Sequence, residues 1–175
     1  DLAWRSDIYV VAADGGPATR VTGGKERLFR HPAWSPDGSL IPVMGHRFEA
    51  LGPTRDDIWV FSPEPVQDGR NLTAGSDLFV DAMMNSDLFG FGERGPRWSP
   101  DGRSLIFVAP VEGSFELWRS RLEDSRVERL TSGQHMLRSP DLAARLDRSA
   151  SHDGGLRVAA IRGTATEPPD IVSFE

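Results

Sequence analysis

Apolar residues fall along this chain in short runs, each closed off by glycine, proline or a charged residue. Asp7-Ile8-Tyr9-Val10-Val11, Asp57-Ile58-Trp59-Val60-Phe61 and Leu105-Ile106-Phe107-Val108 are examples. Runs this short, rich in β-branched and aromatic side chains, read as strands. The pattern predicts strands at residues 7–11, 18–22, 31–35, 39–44, 57–61, 70–73, 95–99, 104–108, 115–119, 127–131, 156–161 and 169–174, with a degraded one at 148–154. No stretch carries a sustained helical period; residues 140–146 make one or two turns at most. No apolar run approaches the roughly 18–20 residues a membrane span requires, so no membrane partner is expected.

The turns repeat as well. Trp34-Ser35-Pro36-Asp37-Gly38 returns as Trp98-Ser99-Pro100-Asp101-Gly102, each with a proline two positions before the tryptophan, Pro32 and Pro96. Proline pre-sets φ for the second position of a turn, Asp accepts the third, and Gly takes a left-handed conformation at no steric cost. The strands around these turns are copies too. Asp57-Ile58-Trp59-Val60 repeats Asp7-Ile8-Tyr9-Val10, and Arg70-Asn71-Leu72-Thr73 repeats Thr19-Arg20-Val21-Thr22. Arg129-Leu130-Thr131 closes a third such strand. Tandem four-strand units with Gly/Pro turns predict an all-β fold, a partial β-propeller. The blades are expected at 31–73 and 95–131, with a remnant at 7–22 and an incomplete blade at 146–174. A two-sheet sandwich does not predict the same strand order recurring with the same turn chemistry.

Pro-x-Trp-Ser-Pro-Asp-Gly, an apolar strand, Asp-Ile-Trp-Val and Arg-x-Leu-Thr together resemble the TolB-like repeat. That repeat builds the propellers of prolyl oligopeptidase family serine peptidases and of periplasmic TolB proteins. Ser151-His152-Asp153-Gly154, followed by Val158-Ala159-Ala160-Ile161-Arg162 and Pro169-Asp170-Ile171, is similar to the final blade of the acylaminoacyl-peptidase branch. The resemblance implies a non-catalytic propeller that gates an active site carried by a separate hydrolase domain and admits short peptides. No Gly-x-Ser-x-Gly nucleophile elbow occurs in the 175 residues, so no catalytic residue is assigned to this chain. The expectation is the later half of a propeller, an internal piece of a longer polypeptide whose hydrolase domain lies elsewhere. Its partners would be the remainder of that parent, or a second copy of itself through the open edges at 7–11 and 171–174. The alternative is a TolB-like interaction scaffold. The peptidase resemblance implies the cytoplasm, the TolB resemblance the periplasm.

Charge and composition change this picture little. The net charge is −6, and Lys25 is the single lysine among 20 basic residues. The arginines are scattered among 26 acids, which argues against a nucleic-acid groove. There are no cysteines, hence neither disulfides nor thiolate metal sites. His31, His46, His135 and His152 have no ligand partner at metal spacing, so neither metal nor cofactor is expected. Asp37, Asp101 and Asp153 recur because each turn needs Asp to bond its own backbone, which is a structural role. Asn71-Leu72-Thr73 matches a glycosylation sequon but is also the closing strand of a blade. Trp34, Trp59, Trp98 and Trp118 read as core residues between blades.

The long connections 45–56 and 79–94 are where function is expected. They carry Arg47, Glu49, Arg55, Met83, Met84, Phe89, Phe91 and Arg94. Of these, Arg47, Arg55, Phe89, Phe91 and Arg94 are the candidate contacts to peptide substrate in the intact enzyme.

Overall fold

A computed structural model of the chain describes residues 5–24, 27–48, 55–80, 95–144 and 156–174. Among the described residues there are thirteen strands and no helix. They are β1 (Tyr9–Val10), β2 (Thr19–Arg20), β3 (Arg27–Arg30), β4 (Ile41–Arg47), β5 (Asp57–Phe61), β6 (Arg70–Asn71), β7 (Arg97–Trp98), β8 (Ser104–Val111), β9 (Ser114–Arg121), β10 (Val127–Arg129), β11 (Met136–Ala144), β12 (Leu156–Gly163) and β13 (Asp170–Phe174). β1 pairs with β2; β3-β4-β5-β6 is an antiparallel meander. β7-β8-β9-β10 is a second meander. β11-β12-β13 attaches to it through a parallel contact of Met136 with Phe115 on β9, where the short β10 leaves the edge uncovered. The expected second blade and the last unit thus form one seven-stranded sheet.

Side chains alternate faces along a strand, and in the central strands both faces are apolar. Ile41 and Val43 of β4 join Ile8, Val21, Phe29 and Phe61 in one buried cluster. Met44, on the opposite face of β4, joins Ile58, Val60 and Leu72 against Leu105, Phe107 and Ala109 of β8. Ile106 and Val108, on the other face of β8, pack with Leu117, Leu137, Val158 and Ala160. The four strand units β1-β2, β3–β6, β7–β10 and β11–β13 are therefore ranged in a row with three apolar layers between them, the last two units being halves of one sheet. Burying one such side chain contributes about 1.5–3 kcal/mol, so each layer depends on the next sheet being present.

The repeated turns have one geometry. The Gly38 amide donates to the Ser35 carbonyl at 2.9 Å and the Gly102 amide to the Ser99 carbonyl at 2.9 Å. Both glycines are left-handed, at φ 72° and 68°. The Ser35 hydroxyl donates to Asp37 Oδ1 at 2.6 Å, as Ser99 does to Asp101. The same serine oxygens accept the amides of Leu40 and Ser104 at 2.9 Å. These bonds favour the charged carboxylate. The Ser35 hydroxyl and the Ser39 amide and hydroxyl lower Asp37 to about 2. Burial pushes Asp101 up, but the Ser99 hydroxyl and Arg103 amide outweigh it and hold it below the usual range.

Three elements differ from the sequence reading. The strand expected at 31–35 lies upstream, at β3. His31 is left-handed, with φ 57°, and Pro32 has no amide to give, so regular pairing breaks there. The Ala33 and Ser35 amides still reach the Pro42 and Leu40 carbonyls. The one or two turns allowed at 140–146 are instead strand as far as Ala144, because β11 pairs along β12 with an irregularity between Arg138 and Asp141. The degraded strand at 148–154 lies outside the described residues. β4 runs on to Arg47, so 45–47 is strand and not loop. At Gly45 (φ 150°) a Cβ would lie 1.9 Å from the Leu28 carbonyl oxygen, an approach only glycine permits. Trp59, Trp98 and Trp118 pack against the apolar layers as expected, but Trp34 is 51% exposed.

The turn acids give a pH prediction. Their folded pKa values lie below the unfolded ones, so their contribution is present above about pH 4 and is lost as the pH falls through the folded values, which for Asp37 is about 2. Asp37→Asn together with Asp101→Asn should flatten the dependence of the urea midpoint on pH between about 4 and 2, measured by tryptophan fluorescence.

Candidate functional site

One polar constellation recurs in three units. An acid near the start of the third strand faces a threonine two residues beyond the end of the fourth. Thr22 Oγ1 donates to Asp7 at 2.7 Å, Thr73 Oγ1 to Asp57 at 2.8 Å, and Thr131 Oγ1 to Glu116 at 2.5 Å. Each threonine oxygen also accepts the amide of the residue after the acid: Ile8 at 3.2 Å, Ile58 at 3.1 Å and Leu117 at 2.9 Å. The threonines are 15 or 16 residues beyond their acids, and a hairpin brings them face to face.

Each acid has further partners. Arg27 pairs with Asp7, and Arg129 with Glu116 at 2.9 Å. Asn71 donates to Asp57 at 2.8 Å, and its own carbonyl accepts the Thr73 amide. The sequon asparagine is thus used inside the clamp. Glu116 is fully buried and also meets His135 Nε2 at 3.0 Å. Burial pushes its carboxyl up, but Thr131, Arg129 and His135 together hold it below the ordinary range. His135 and Thr131 also line an open groove of about 510 Å³, whose other wall is Arg162, Val172 and Phe174. Sequence reading saw these acids and threonines separately and did not pair them. Their near-equal separation of 15 or 16 residues, repeated in three units, is the signal that could have done so.

A second constellation sits where the chain leaves β4 and enters β5. Asp56 is buried and takes Arg30 at 2.5 Å on one oxygen and His46 Nδ1 at 2.6 Å on the other. His46 Nε2 is buried without a hydrogen-bond partner, and the ring packs edge-on against Phe48 at 4.7 Å. Antiparallel alternation puts the β4–β5 connection and the chain leaving β6 at the same end of the sheet. The structure ties them together there. Arg55 Nη1 donates to the Ser76 carbonyl at 2.7 Å, and the Val80 amide donates to the Asp56 carbonyl at 3.2 Å. The equivalent β8–β9 connection is only Glu112-Gly113, both left-handed as such a tight hairpin requires.

Of the five candidate contacts, Arg55 lies in this rim, with its side chain 34% exposed. Arg47 does not join it. Its guanidinium lies 5.1 Å from the Trp59 ring centre and donates to the Asp68 carbonyl, so it lies back across the sheet. Phe89, Phe91 and Arg94 lie outside the described residues, as do Glu49, Met83 and Met84.

No protein-family model matches the sequence. Over 136 residues the chain is 24% identical to dipeptidyl-peptidase 5 of Porphyromonas gingivalis, a match that covers 77% of this chain and 18% of that protein. Among solved structures, it is similar to the β-propeller domain of the Trilobed protease from Pyrococcus furiosus. There the TM-score is 0.61 at 15% identity, covering 97% of this chain and 43% of the other. Puromycin hydrolase matches with a TM-score of 0.53 at 21% identity, covering 90% of this chain and 25% of that one. The chain spans less than half the length of each of these proteins. These likenesses bear out the β-propeller architecture and the resemblance to peptidase propellers read from the repeat.

If the clamps hold the blades closed, Thr73→Val should destabilise the chain by about 2–3 kcal/mol, since it leaves the buried Ile58 amide unpaired and removes a hydrogen bond to a charged group. Thr19→Val, on the exposed side of β2, should change stability by less than about 0.5 kcal/mol. Urea unfolding of the two variants makes the comparison.

Proposed function

We propose that this chain is a non-catalytic, substrate-gating part of a β-propeller in a serine peptidase resembling acylaminoacyl-peptidase and prolyl oligopeptidase, and that the intact enzyme acts on short peptides. The observation that carries this reading is the unequal treatment of one connection. Where β8 passes to β9 in two residues, β4 passes to β5 through 48–56, and Arg55 pins that connection to the chain leaving β6. A blade needs no such extension to fold, since its counterpart folds without one. A long connection on a rigid sheet is where binding groups are placed.

The chemistry of the rim suits peptides. Arg55, a third exposed and 3.5 Å from Asp57 Oδ1, brings a guanidinium that can meet a peptide carboxylate. The similarity to peptidase propellers supports a parent in which such a rim faces an active site. A cytoplasmic location goes with this reading.

The test uses the complete reading frame that contains this chain. The purified protein should hydrolyse short chromogenic peptides and leave folded proteins intact. Arg55→Ala should raise KM for peptides about tenfold with kcat little changed, the signature of lost ground-state binding. A parent without peptidase activity would refute the reading and point to the scaffold alternative. An active parent whose KM is indifferent to Arg55→Ala and to alanine at Phe89, Phe91 and Arg94 would refute the gating role.

A further inference from the structure

We propose that Nε2 of His46 is a receptor for a backbone N–H of the bound peptide. The peptide itself rests on the proposed function; the residue that reads its backbone is new to it.

His46 and Asp56 are an addition to the blade. The inner turns of the two meanders are equivalent: the Ser35 amide meets the Leu40 carbonyl as the Ser99 amide meets the Ser104 carbonyl. Six residues beyond Leu40 is His46, and six beyond Ser104 is Pro110. On the next strand the clamp acids Asp57 and Glu116 are equivalent, so Asp56 corresponds to Phe115. Pro110 and Phe115 face each other across β8 and β9. Where one blade closes this end with two apolar side chains, the other buries an imidazole against a carboxylate. Burying charge costs desolvation that an apolar pair avoids, and the sister blade folds without it.

The arrangement leaves one atom over. Asp56 takes Arg30 on one oxygen and His46 Nδ1 on the other. Nδ1 faces a carboxylate, so it carries the proton. Arg30 already meets the charge of the acid, so the ring acts as a neutral donor and its Nε2 remains an acceptor. The side chain is nine-tenths buried, and among the described residues Nε2 meets no donor. A ring fixed from behind by a carboxylate, with an unsatisfied acceptor in front, is preorganised for a ligand that donates. Arg30 beside the pair and Arg55 on the same rim disfavour a cationic donor, whereas a peptide amide brings no charge. Phe48 stands edge-on to the ring at 4.7 Å and is half-buried. Turning it aside, a side-chain change common at interfaces, opens Nε2 to the peptide.

The test uses the protein of the complete reading frame at about pH 8, above the ordinary imidazole range. The probes are a tetrapeptide and its analogues N-methylated at one amide in turn. Affinity is read as KM where the peptides are hydrolysed and as Kd by calorimetry where they are not. One methylation should weaken the wild-type protein's hold about tenfold. His46→Asn keeps a side-chain N–H for Asp56 and lacks Nε2. It should hold the unmethylated peptide about tenfold more weakly, and the sensitive methylation should then cost nothing further, because the two changes remove one interaction. A wild-type scan in which no methylation weakens the hold overturns the proposal whatever the variant does. So do equal methylation penalties in the two proteins. A His46-dependent pattern in a parent that hydrolyses no peptide would sink the proposed function alone. Hydrolysis by a parent whose methylation penalties ignore His46→Asn would sink this inference alone.

Discussion

The sheets of this chain cannot stand singly, because their central strands are apolar on both faces. β4 sends Ile41 and Val43 one way and Met44 the other; β8 sends Leu105 and Phe107 one way and Ile106 and Val108 the other. An ordinary antiparallel sheet can leave one face to water. Here the pattern forces each sheet to be sandwiched, and the result is a row in which neighbours stabilise one another. Quasi-linear stacks of this kind derive stability from nearest-neighbour interfaces, with the end units least supported. β13 fits that expectation: Ile171 is largely in water and, among the described residues, β13 pairs only with β12.

The polar residues do a complementary job at the borders of each sheet. Between first and second strands the Ser-Pro-Asp-Gly turn closes on itself, with the carboxylate satisfied by its own serine and the following amide. Between third and fourth strands the acid–threonine clamp fixes register at the opposite end. A one-residue slip would turn every apolar side chain of the strand to the wrong face. The clamp and the turn make such slips costly, because each slip would leave a charged group without its partners. The proposed substrate contacts lie where neither device is needed, in connections such as 48–56 that a rigid blade carries.

Much of this was legible in the sequence. Strands with period-two apolar runs and a turn built from Pro, Asp and Gly are local features, and their physics is local. What escaped depends on tertiary pairing. Asp141-Leu142-Ala143-Ala144 has the composition of a helix, yet β12 offers a full ladder of backbone partners, and pairing overrides propensity. Pro32 and the left-handed His31 moved the regular part of the first inner strand to Arg27–Arg30, although the Trp-Ser-Pro-Asp-Gly turn was placed correctly. Trp34 looked like Trp98 in sequence, but only Trp98 has an apolar layer beside it. At the candidate site, Arg55 reaches the Ser76 carbonyl, while the Arg47 guanidinium lies over the Trp59 ring, a partner invisible without the strand register.

The central claim is that the strand units are stacked in a row and that three of them are closed by acid–threonine pairs. Native-state hydrogen exchange, resolved to single amides, tests it most directly. The account predicts that the Ile58 and Leu117 amides, held by threonine oxygens inside packed units, exchange only with unfolding of the stack, and that the Ile171 amide exchanges at least about 100-fold faster. Equal protection at all three positions, or free exchange at Ile58 and Leu117, would contradict it.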